Sequence, residues 1–230
     1  SKILKKNIFF KNILILSKAT LISYIITAIS LPVLSRLYSP EDFGNFGALM
    51  AICSVLVIIS SLRYETAIPL TKNLNEAFKL VILSFLILLF FIISLSVIYI
   101  LSFLFFLNLE NQIWLDNNIY LVLSFIFLTG LYTIINFLLL RLKDFNFLAK
   151  IKMIEFFFRL LFQIVLVSLG YIGLFVGYLI SLIIPVVFFF SKYIFYKKKY
   201  TVSELKQVAS RFKVYPKFST IESLTNQLSY

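Results

Sequence analysis

The chain has 230 residues, 61% of them hydrophobic, with a mean hydropathy of +0.99 and a formal net charge of +12. That apolar share exceeds what a soluble globular domain carries, and uncharged runs of about 20 residues match the hydrocarbon core of a bilayer. There is no histidine and one cysteine, Cys53, which excludes histidine acid–base chemistry, most zinc sites and an internal disulfide.

The expected fold is an all-α polytopic membrane helical bundle, one six-helix lobe over residues 1–195. Its spans fall at about 13–35, 42–64, 80–107, 118–140, 153–170 and 172–195. A cytoplasmic loop with an amphipathic helix follows at 196–217, and residues 218–230 open a seventh span that the chain, read as truncated, does not complete.

Lys2, Lys5, Lys6 and Lys11 precede the first span, which lacks a small-residue cleavage site and reads as a span rather than a signal peptide. Ser17, Thr20, Ser23, Tyr24, Thr27 and Ser30 form a polar stripe on it, a pattern that suits helix–helix contact and also the wall of a cavity. Lys18 lies off that stripe and shares a face with Arg36, about 27 Å away, so the two can snorkel to opposite interfaces. "SPEDF" is a helix start: Ser39 caps, Pro40 takes the first helical position, and Glu41 and Asp42 face the positive dipole end.

In the second span Gly44, Gly47, Ala48, Ala51 and Ser54 make a small-residue seam that predicts close packing. Arg63 and Glu65 stand at its far end. The third span, Leu80 to Leu107, carries no charge. Thr129, Tyr132, Thr133 and Asn136 share a face of the fourth. Pro32, Pro69 and Pro185 are candidate bends.

The fifth span contains "KMIEFFFRLLFQIV", where Glu155, Arg159 and Gln163 follow at intervals of four. At 100° per residue they drift by about 40° per step and share one face, while Phe157, Phe158, Leu161 and Val165 occupy the other. Charge in a span is costly and faces the bundle interior or a wet cavity. Two readings stay open: an internal ion pair between Glu155 and Arg159, and a substrate-lining face.

After the sixth span, "VSELKQVASRF" places Leu205, Val208, Ala209 and Phe212 on one side, which predicts a helix lying on the cytoplasmic leaflet; an ordinary solvated linker helix is the alternative. The Lys197–Lys199 run reads as an anchor.

Nineteen of the 22 basic residues fall in the N-terminus and every second loop; Lys18, Arg36 and Arg159 are the remainder. That asymmetry predicts a cytoplasmic N-terminus. Because the basic residues punctuate apolar runs, the charge does not point to nucleic acid. No paired carboxylates, activated nucleophile or phosphate loop is present, so no catalytic site, metal or cofactor is expected, and the chain reads as a non-enzyme.

"ISLPVLSRLYSPEDFGNFGALMAICSVLVIISSLRYETAIPL", residues Ile29 to Leu70, resembles the N-terminal pattern of bacterial polysaccharide flippases. These are the O-antigen and capsule translocases of the multidrug/oligosaccharidyl-lipid/polysaccharide superfamily. "NLNEAFKLVILS" and "YPKFSTIESLTNQLS" are similar too. The resemblance implies two six-helix lobes around a central cavity. It implies alternating access in the bacterial cytoplasmic (inner) membrane, moving undecaprenyl-diphosphate-linked oligosaccharide to the outer leaflet for lipopolysaccharide or capsule synthesis. The partners it implies are that lipid-linked oligosaccharide, membrane lipids and other polysaccharide-assembly proteins. Arg159, with Glu155 and Gln163, becomes a candidate for the cavity wall, and Lys18, Arg63 and Asn136 are weaker candidates. The alternatives are a cation-coupled drug exporter of the same superfamily, which needs a deep acid, and a membrane polysaccharide polymerase or ligase, which needs a large external loop.

Overall fold

The computed structural model describes residues 2–105, 113–193 and 200–228, and among these there is no strand. The helices are α1 (Lys2–Leu37), α2 (Pro40–Ser60), α3 (Leu74–Phe105), α4 (Ile113–Leu142), α5 (Phe145–Val165), α6 (Tyr171–Tyr193), α7 (Val202–Arg211) and α8 (Thr220–Leu228). Short 3₁₀ segments, Tyr64–Leu70 and Val167–Leu169, join α2 to α3 and α5 to α6, and a π turn, Tyr215–Ser219, leads into α8. Among the described residues five helices are long and apolar enough to cross a bilayer: α1 over Thr20–Leu37, α2, α3 over Leu74–Ser102, α4 over Asn118–Leu142, and α6. The protein is a multi-pass, all-α membrane protein.

The expected span at 153–170 differs in detail. Its helix, α5, starts at Phe145, ends at Val165, and carries Lys150, Lys152, Glu155 and Arg159, so it lacks the uninterrupted apolar run of the other five. The chain then passes through the 3₁₀ turn to Gly170 at φ 57°. The Lys197–Lys199 run lies outside the described residues.

Two units divide the chain. The first comprises 1–47 and 138–197, in which α5 packs against both α1 and α6. Leu34, Tyr38 and Leu174 are buried there, with Phe43, Phe46, Leu160 and Val167 against them. One end is held by the start of α2. The Ser39 hydroxyl accepts the Asp42 N–H at 3.1 Å while the Ser39 N–H donates to Asp42 Oδ2 at 3.0 Å, a capping box. The other oxygen, Asp42 Oδ1, accepts the Tyr171 N–H at 2.8 Å, which ties the α5–α6 turn to α2. At the other end Asp144 caps α5 through the Phe147 N–H, and accepts Lys192 Nζ and Tyr193 Oη, both at 2.6 Å. Burial raises the Asp144 carboxyl, but the bonds from Lys192, Tyr193 and Phe147 outweigh it and hold the group below its usual range.

The second unit comprises 48–137 and 198–230. Along α3, Ala77, Leu80, Ser84 and Leu88 are fully buried. Gly130 of α4 meets Leu88: a Cβ there would come within 2.7 Å of Leu88 Cδ1. The apolar side of α7 is covered by protein. Leu205 and Val208 are buried where α7 packs on α3, and the Tyr64 hydroxyl donates to the Ala209 carbonyl at 3.3 Å. An amphipathic period records that a face must be covered, not whether protein or lipid covers it.

The polar edge of α7 is tied down as well. Thr201 and Glu204 form a capping box, Lys79 pairs with Glu204 at 2.8 Å, and Arg211 pairs with Glu76. The Lys79 hydrogen bond and the Thr201 N–H hold the Glu204 carboxyl at about 2, below its ordinary 4.5. A depressed carboxylate stabilises the fold above its unfolded value and stops doing so as pH falls towards the folded one. The protection of α7 amides, taken as exchange relative to the intrinsic rate at each pH, should therefore fall between pH 5 and pH 2, and Glu204→Gln should flatten that dependence. Equal pH dependence in both proteins would count against the pairing.

The small-residue seam of α2 is not close-packed among the described residues. A Cβ at Gly44 or Gly47 would meet nothing within 4 Å, and Ala48 and Ala51 are exposed. Small residues permit a close approach without supplying the partner.

Candidate functional site

The polar face of α5 turns into the first unit. Glu155 is 2% exposed and Gln163 5%, while Phe157 and Val165 are more than half exposed on the opposite side. Helical geometry places Glu155, Arg159 and Gln163 in a row, and the approach of α6 gives the row its surroundings.

That approach depends on two glycines, Gly173 and Gly177, spaced as in the small-xxx-small contacts of membrane helices. A Cβ at Gly177 would lie 2.8 Å from the Gln163 backbone nitrogen, and one at Gly173 would lie 2.0 Å from the Leu166 carbonyl oxygen. At this distance Gln163 Nε2 donates to the Leu174 carbonyl at 3.0 Å, and Tyr38 Oη donates to the Gln163 carbonyl at 2.5 Å. Gln163 is thus a joint between α5, α6 and the end of α1.

One residue beyond Gly177, the Tyr178 ring lies under Arg159, with the guanidinium carbon 3.6 Å from the ring centroid; the Phe156 ring is 4.8 Å away. Arg159 Nη2 also donates to Glu155 Oε1 in a charge-assisted ion pair. Its Nε is buried without a hydrogen-bond partner among the described residues. The Arg159 side chain keeps 24% of its surface and Glu155 only 3%. The carboxylate and the aromatic face fix the guanidinium in place and lower its desolvation cost. What remains exposed is an oriented positive group on a mostly apolar helix. Such a group can attract an anion.

Lys18 is exposed on α1 of the same unit. Arg63 and Asn136 belong to the second unit. Arg63 has φ 58° at the entry to the Tyr64–Leu70 segment, and its Nη1 is 3.7 Å from Glu65. Glu65 is 2% exposed and accepts the Ser61 hydroxyl at 2.6 Å. Burial lifts its carboxyl above the ordinary range against both partners. Asn136 is half-buried on α4, and its Oδ1 has no partner among the described residues. Hydroxyls of the α1 stripe bond their own helix, Thr27 to the Ser23 carbonyl and Ser30 to that of Thr27. Tyr178, Tyr38 and the glycine pair were not singled out by sequence reasoning. "GLFVG" carried the signal for the glycines; nothing local marks Tyr178. Among the described residues no three His, Cys, Asp or Glu side chains group to hold a metal.

Solved structures share this fold. A multidrug resistance MATE family transporter of the MOP superfamily, in an outward-facing conformation, matches with a TM-score of 0.59 at 14% identity. A MOP superfamily transporter from Pyrococcus furiosus, described as having a binding pocket of reverse polarity that suggests a different function, matches with 0.60 at 15%. In each case the match covers 95% of this chain and 53% of the other, so the chain spans about half the length of these transporters. No curated protein matches significantly. The family profile described as polysaccharide biosynthesis protein matches residues 9–229, and the chain belongs to that family.

Proposed function

We propose that the chain supplies one lobe of a flippase that carries undecaprenyl-diphosphate-linked oligosaccharide from the inner to the outer leaflet of the bacterial cytoplasmic membrane, for O-antigen or capsule assembly. Family membership supports a role in polysaccharide biosynthesis, and the likeness to MOP transporters supports movement of a substrate rather than a reaction. In this reading α5 is the fifth of the lobe's six spans, and the N-terminus is cytoplasmic, as the distribution of basic residues indicates.

The observation that carries the reading is Arg159. An arginine in a span is expensive, and here it is paired, stacked and still partly exposed. Its guanidinium attracts the diphosphate or an acidic sugar, Glu155 holds its position, and Tyr178 holds its plane. Alternating access then needs only a weak, oriented contact that forms on one side and releases on the other.

The test is translocation of a fluorescent lipid-linked oligosaccharide by the intact protein in proteoliposomes. Arg159→Ala should slow it by about tenfold or more, roughly the loss of one charge-assisted contact of ~1.5–3 kcal/mol. Arg159→Lys should retain part of the rate. Unchanged translocation in Arg159→Ala would remove the role. Efflux of a cationic dye, without movement of the oligosaccharide, would point to a drug exporter instead.

A further inference from the structure

With α7 docked on protein, a different surface of the same segment is left uncovered. Val214, Phe218 and Ile221 are 55%, 60% and 61% exposed. They follow at intervals of four and three along the π turn and the start of α8, a stripe about 10 Å long. Thr220 is 7% exposed, and the π turn packs against the Tyr64–Leu70 segment, so the segment has one covered side and one bare side. Lys213 and Lys217 are exposed beside the stripe, with Lys217 Nζ 5.4 Å from the Phe218 ring centroid. Glu222 is the exposed acid nearby, whereas Arg211 is neutralised by Glu76.

We propose that this face is an interfacial anchor that binds the anionic phospholipid surface. The lysines contact headgroup phosphates while Val214, Phe218 and Ile221 enter the acyl boundary. Three exposed apolar side chains in a short row, flanked by exposed lysine heads on long stems, suit the headgroup level at which a span read as opening at residue 218 begins. Such a row is too narrow for a stable protein interface, and its positive charge selects a negatively charged surface. The inference depends on where the segment sits relative to the membrane, not on which substrate is carried.

The experiment is amide exchange of residues 212–225 in the whole protein, one copy per nanodisc, in phosphatidylcholine alone and with about 30% phosphatidylglycerol. Anionic lipid should slow exchange around Val214–Glu222, by up to about 30-fold at low salt if each lysine contributes about fivefold. Lys213→Gln/Lys217→Gln should erase the difference between the two lipids, as should about 0.5 M salt. Phe218→Ser should speed exchange in both lipids without affecting the transmembrane helices. Equal exchange in the two lipid compositions would overturn the proposal. So would protection that appears only with two proteins per disc, which would make a second copy of the chain the occupant.

Discussion

Arg159→Ala should destabilise the protein by about 3–5 kcal/mol, because it leaves the Glu155 carboxylate buried and unpaired. The carboxylate is the buried member of the pair: Glu155 is 2% exposed, and the Tyr178 and Phe156 rings flank the arginine. Adding Glu155→Gln to Arg159→Ala should recover most of that loss, since a neutral amide costs far less to bury than a carboxylate. Unfolding in mixed micelles, run as a double-mutant cycle, measures the coupling directly. Translocation should behave differently. If Arg159 touches the substrate, the double variant regains stability but not transport. If the pair is only a structural joint, stability and transport return together. Arg159→Ala as stable as the parent protein would mean that the carboxylate has another partner, and the account of the cluster would fail.

The row Glu155, Arg159 and Gln163 was legible in the sequence because intervals of four lie on one side of any helix, whatever surrounds it. The start of α2 was legible for the same reason: a capping box is local chemistry. Tyr178 was not legible, since its place under Arg159 depends on how near α6 comes to α5. Two surfaces were legible only in part. The α2 seam and the apolar side of α7 each announced a need for contact, and neither named the partner. For α7 the partner is α3, and the anchor tying them, Lys79 with Glu204, joins residues 125 positions apart. The charges of α5 set it apart from the other spans by composition, and the same charges make it the element most informative about function.

Gly173→Ala should be the most damaging of the single-methyl additions, at about 3 kcal/mol or more, followed by Gly177→Ala at about 1–3 and then Gly130→Ala. The order follows from what each new Cβ would meet. At 173 it would lie 2.0 Å from the Leu166 carbonyl oxygen and 3.0 Å from Tyr38 Oη. At 177 it would lie 2.8 Å from the Gln163 backbone nitrogen and 2.9 Å from Gln163 Cγ. Backbone atoms of a helix end cannot yield by changing rotamer, so α6 itself must move away from α5. At 130 the obstacle is the tip of Leu88, which can rotate. Thermal unfolding in detergent would rank the three, and Gly173→Ala melting with the parent protein would show that α5 and α6 do not approach this closely. Moving α6 also breaks the Gln163 bond to the Leu174 carbonyl and lifts Tyr178 from Arg159. Gly177→Ala should therefore lower translocation more than its stability loss explains, whereas Gly130→Ala should not. The glycine pair would then act as a positioning device for the arginine, with the helix spacing that α5 and α6 share setting how firmly the positive group is held.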